Sequence, residues 1–73
     1  MKPSPDQIYR HCKGKLYRVL FVARNSDKCA EEIVVYKSLE DSDYPKGTIW
    51  TRPLENFVDN HKTGVKRFTL EIG

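Results

Sequence analysis

The sequence predicts a mainly β fold: a small curled barrel of about five short strands, with one short helical turn before the last strand. Three observations carry this. Short runs rich in Val, Ile, Tyr, Phe and Trp recur along the chain, separated by clusters of Gly, Pro, Asn, Asp and Ser. Most runs alternate with a period of two, and only Leu54, Phe57 and Val58 show the spacing of a helix face. The chain has 73 residues, enough for one domain but too few for a two-layer sandwich, so one curled sheet is preferred.

Residues 1–7 are Pro/Ser-rich at their start and read as a flexible tail, with residues 8–73 forming a single domain. Ile8-Tyr9-Arg10-His11 reads as a short first strand, ended by the turn signal Lys13-Gly14. Leu16 to Arg24 gives the strongest strand signal. Its period of two sets Tyr17, Val19, Phe21 and Ala23 on one face and Leu20 and Val22 on the other, as in a central, bent strand. The polar cluster Asn25-Ser26-Asp27-Lys28 is a turn, and Glu32 to Leu39 is the next strand, with Val34 and Tyr36 opposite Ile33, Val35, Lys37 and Leu39. The loop from Glu40 to Gly47 carries acids first and then Tyr44-Pro45-Lys46-Gly47, a composition that predicts a chain reversal. Thr48 to Arg52 is a strand stopped by Pro53, which lacks a ladder N–H and suits the first position of a helical turn. Asn60 to Lys66 is a polar loop, and Arg67 to Ile72 closes the set with Phe68, Leu70 and Ile72 expected inward.

Charge narrows the function classes. The net charge is +3, but residues 1–28 hold seven Lys/Arg against two acids, whereas residues 29–43 hold one Lys against five acids. The chain is therefore two-signed, and its pI of about 9.0 sits at the threshold for a nucleic-acid binder. No apolar run approaches the ~20 residues of a membrane helix, and the N-terminus lacks an apolar signal segment, so a cytoplasmic protein away from membranes is expected. Cys12 and Cys29 are then expected as free thiols.

The chemistry-bearing residues favour binding over catalysis. The soft ligands His11, Cys12, Cys29 and His61 lack metal-site spacing, and adjacent His11 and Cys12 would point to opposite faces of a strand, so no metal is expected. Gly14, Gly47, Gly64 and Gly73 are isolated, so no phosphate loop and no nucleotide cofactor is indicated. Cys12 or Ser26 with His11 lacks a nucleophile motif, so no catalytic residue is assigned. What remains is an aromatic–arginine set: Tyr9, His11, Arg24, Tyr36, Trp50 and Arg52. Arginine offers a planar fork for carboxylate or phosphate, and Trp and Tyr offer stacking faces. The alternative for Tyr36 and Trp50 is a place in the core, which a small barrel needs to fill with large rings.

Five runs carry a family resemblance: Tyr9 to Leu20, Val22 to Ser26, Glu32 to Lys37, Trp50 to Phe57, and Arg67-Phe68. Together they resemble an uncharacterised bacterial family catalogued as domain of unknown function 1653, over residues 8 to about 70. The family pattern runs Tyr-Arg-His-aromatic-Lys-Gly, Ala-Arg-His-Ser, Val-Val-Tyr and Trp-Val-Arg-Pro-Leu. This chain departs from it at Cys12, where an aromatic is usual, at Asn25 for His, at Thr51 for Val and at Asn56 for an apolar residue. The resemblance implies an SH3-like barrel and no established activity.

The expected function is a non-enzymatic binding module whose aromatic–arginine groove recognises a protein or peptide partner or an anionic ligand. The alternatives are a small barrel that binds RNA or another nucleic acid, and a small enzyme or accessory domain acting on an anionic metabolite. The acidic stretch from Glu31 to Asp43 favours protein, because it would repel phosphates if it lies near the groove. A monomer or weak homodimer is expected, with Ile8 to His11 or Arg67 to Ile72 as edges able to pair between chains.

Overall fold

A computed structural model describes residues 2–59 and 64–73. Strands β1 (Ile8–His11), β2 (Leu16–Asn25), β3 (Lys28–Ser38) and β4 (Ile49–Pro53) are followed by the short helix α1 (Leu54–Phe57) and strand β5 (Phe68–Ile72). The protein is mainly β. The five strands form one antiparallel sheet in the order β4-β3-β2-β1-β5. The sheet curls but does not close into a barrel, because β4 and β5 are its two edges.

Turn chemistry sets the local path. Between β1 and β2 the Gly14 N–H donates to the His11 carbonyl (2.7 Å), and Gly14 has φ 103°, a conformation that side chains oppose. Between β2 and β3 the Asn25 Oδ1 accepts the Asp27 N–H (2.9 Å), an Asx turn tight enough to pair Asn25 with Lys28. Strand β3 therefore starts at Lys28 rather than at Glu32: backbone pairing to β2 recruits residues whose own strand preference is weak. Pro53 ends β4 and caps α1 with an extended ψ of 140°, one position before the first helical residue.

Val19, Val34, Tyr36, Phe57 and Phe68 form the buried core. Phe57 and Phe68 stack with centroids 4.1 Å apart and planes 7° from parallel. Rings suit so small a core because each can remove about 150–250 Å² from water. Tyr9, Tyr17, Val22, Trp50 and Leu54 pack around this centre half-buried.

Two expectations of facing are corrected. Strand β2 carries a bulge: Val19 pairs with Tyr36 and Phe21 with Val35, leaving Leu20 as an extra residue. The alternation changes phase there, so Val22 packs on the core and Phe21 stands 52% exposed on the other face. In β5 only Phe68 is buried, while Leu70 and Ile72 are 43% and 62% exposed, because an edge strand at the rim of a small sheet has nothing above its outer half.

The N-terminal segment runs along the sheet. The Asp6 N–H donates to the Val19 carbonyl (2.8 Å), the Val19 N–H donates to the Gln7 carbonyl (2.9 Å), Pro3 is buried, and Lys2 meets Glu32 at 2.6 Å. The polar loop expected over 60–66 lies mostly outside the described residues, as does His61. No described helix is long and apolar enough to cross a membrane.

Candidate functional site: an aromatic cleft at one end of the sheet

Antiparallel order gathers the ends of β1 and β3 and the starts of β2, β4 and β5 at one end of the curled sheet. The cross-strand register then sets side chains on the same face: Tyr36 opposite Val19 and Trp50, Val34 opposite Arg52, and His11 opposite Phe68. The result is a cleft of about 160 Å³ lined by His11, Tyr17, Tyr36, Trp50, Arg52 and Phe68.

Its walls are edge-to-face rings. The His11 ring lies 5.0 Å from Phe68 and 6.4 Å from Tyr17, and Tyr36 lies 5.4 Å from Tyr17 and 5.5 Å from Phe68. Such geometry matches positive ring edges to negative faces and fixes the cleft's shape. Tyr44, from the loop after β3, extends the wall by packing its ring 5.0 Å from Trp50. The Trp50 Nε1–H donates to Ser38 Oγ (2.9 Å), a buried hydroxyl, which anchors the indole from behind.

Arg52 is the cation of the cleft. Its Nε–H donates to the Tyr36 hydroxyl at a long 3.4 Å, and its guanidinium carbon lies 5.9 Å from the centre of the Phe68 ring. It forms no ion pair among the described residues. Burial, first of all, pushes the Tyr17 hydroxyl above the usual tyrosine range; Tyr36 and Glu40 add to the rise and Arg52 opposes it. A positive and a negative side chain thus both act on the floor of the cleft. Glu40 is held there by accepting the Leu16 N–H (2.8 Å).

The His11 Nδ1 accepts the Lys13 N–H (3.1 Å), so the neutral ring carries its proton on Nε2. Cys12 Sγ lies 3.6 Å from the same Nδ1. The expectation that His11 and Cys12 face apart is corrected: Cys12 lies past the end of β1, in the turn, where strand alternation no longer applies. Both cysteines are free thiols. Among the described residues no three His, Cys, Asp or Glu side chains come together as a metal-holding group.

Of the six candidates, His11, Tyr36, Trp50 and Arg52 line this cleft together. Tyr9 lies beside it: its ring is 5.1 Å from Phe57, and it lines a neighbouring cavity of about 330 Å³ that shares Phe68 as a wall. Arg24 is separated from it. It sits at the far end of the β2–β3 hairpin, where Nη1 donates to the Cys29 carbonyl (2.8 Å) opposite Glu32. Sequence reasoning ended two strands at arginines but could not tell that β2 and β4 end at different places relative to the cleft. It also passed over Tyr17 and Phe68 as ligand contacts, although their inward phase was readable.

A family described as Protein of unknown function (DUF1653) matches residues 7–70. No curated protein and no solved structure matches the chain significantly.

Proposed function

We propose that this chain, which belongs to the DUF1653 family, is a small non-enzymatic binding module that takes a peptide segment of a protein partner in its aromatic cleft. Arg52 receives a carboxylate or carbonyl of the peptide, and Trp50 with Tyr44 receives a flat or apolar side chain beside it. The observation that carries this reading is Arg52 itself: a guanidinium without a carboxylate partner among the described residues, at a cleft walled by rings. A planar fork with free donors suits a carboxylate, and an aromatic wall suits an anchor side chain.

The acidic loop turns the choice toward peptide and away from polyphosphate at this site. Glu40 acts on Tyr17 at the cleft floor, and Tyr44 from the same loop packs on Trp50. A phosphate chain would meet that negative charge, whereas a peptide can present a cation to the loop and a carboxylate to Arg52.

The test is a backbone-amide NMR titration with a library of short peptides ending in a free carboxylate. Binding is expected to shift His11, Tyr36, Trp50 and Arg52 together. Arg52→Lys keeps the charge but loses the fork, and should weaken binding by about tenfold, roughly the worth of one charge-assisted hydrogen bond. Shifts confined to other surfaces, or equal affinity of the Lys variant, would overturn this reading.

A further inference from the structure

The outer face of the sheet carries charge that the fold leaves uncompensated. One cross-strand row runs Ile8–Arg18–Lys37–Ile49, and the next runs Phe21–Val35–Thr51. Neither row holds an acid. Arg18 therefore stands directly opposite Lys37, an arrangement of like charges that weakens a sheet. Neither residue forms an ion pair among the described residues, and the Arg18 Nε is buried without a hydrogen-bond partner. Three nearby acids are engaged elsewhere: Glu40 accepts the Leu16 N–H, Asp41 accepts the Lys46 N–H and Glu71 pairs with Arg10.

The bulge in β2 adds an aromatic to the same face. Without Leu20 as the extra residue, Phe21 would follow Tyr17 and Val19 into the core. With it, Phe21 is the next outward position after Arg18 and is 52% exposed. Bulges re-aim side chains in this way, and here the re-aimed ring lies beside the two cations.

We infer that this outer face is a second binding site, for single-stranded nucleic acid: Arg18 and Lys37 take backbone phosphates and Phe21 stacks against a base. An acidic peptide would use the cations but leaves the exposed ring without a flat partner. A nucleotide uses both, since every base has a stacking face and the arginine fork matches phosphate oxygens. The site is opposite the aromatic cleft and does not depend on the peptide reading.

Fluorescence anisotropy of labelled single-stranded RNA and DNA oligomers against salt tests this on the whole chain. Two neutralised phosphates give a log–log salt slope of about −1.4, and Arg18→Gln and Lys37→Gln should each reduce its magnitude by about 0.7. Phe21→Ser should weaken binding about fivefold or more at every salt concentration, with an unchanged amide spectrum for the folded protein. Lys37→Glu should raise the melting temperature, because it places an opposite charge beside Arg18, and should abolish binding. Trp50 and Arg52 variants that fold should bind the oligomer as well as the parent chain does. The inference is overturned if no oligomer binds at low salt, if binding ignores all of Arg18, Lys37 and Phe21, or if an oligoglutamate peptide binds there and nucleic acid does not.

Discussion

Trp50 shows how one residue can be both core and site. Its indole is half-buried against the core, its Nε1–H satisfies the buried Ser38 hydroxyl, and its remaining surface faces the cleft. Trp50→Ala should therefore cost about 3 kcal/mol, through lost packing and an orphaned Ser38 oxygen. Trp50→Phe should recover most of the packing and lose about 1 kcal/mol for the missing hydrogen bond. Urea unfolding measures both, and an unchanged midpoint for the Ala variant would make the indole a surface platform only. His11, Tyr36, Trp50 and Arg52 were legible as a group because each lies near a strand end in a phase the sequence reveals. Arg24 was misgrouped because β2 runs on past the level at which β4 stops: Arg52 pairs with Val34, whereas Arg24 pairs with Glu32, nearer the β2–β3 turn.

At the scale of elements, local chemistry decided most boundaries and a single inserted residue decided a face. Gly14 shows the first case. Its φ of 103° closes the β1–β2 turn, and a Cβ there would meet nothing within 4 Å, so the cost of a side chain is conformational alone. Gly14→Ala should lose about 1–2 kcal/mol by chemical denaturation without altering the cleft, and a larger loss would reveal a packing role. Strand β2 shows the second case. Alternation predicted Phe21 on the face of Tyr17 and Val19, and the bulge at Leu20 put it on the other. A bulge has no reliable signature within its own strand, because it depends on how the partner strand fits across it. The helical turn was legible from Leu54, Phe57 and Val58, yet the 4.1 Å stack of Phe57 on Phe68 joins residues eleven apart in sequence and needs the chain to return.

For the whole molecule, three ionisable groups tie stability to pH. Burial raises the pKa of Tyr9 and of Tyr17 above the ordinary 10.0. A raised folded-state value gives stability that is complete below pH 10 and is lost as pH rises through the folded value. Glu32 behaves oppositely: the hydrogen bond from Lys2 leads in lowering its pKa from 4.5, so its contribution is present above that value and lost as pH falls through the folded one. Melting temperature should thus decline above pH 10, and Tyr17→Phe, which keeps the ring, should make that alkaline decline shallower. An unaltered alkaline limb in the Phe variant would show that Tyr17 ionisation does not govern it.

The sequence alone determined the mainly β class, the five strands, the helical turn and the family, because period-two patterning, turn residues and short motifs are local and survive without knowledge of neighbours. It also determined that charge would be divided into basic and acidic stretches. Only the tertiary structure decided that the sheet stays open between β4 and β5, that four of six candidate residues share one cleft while Arg24 lies elsewhere, and that Arg18, Lys37 and Phe21 share a face. Each of those facts depends on cross-strand register and on the direction in which the sheet curls. Register is a relation between distant segments, so no single run of residues contains it.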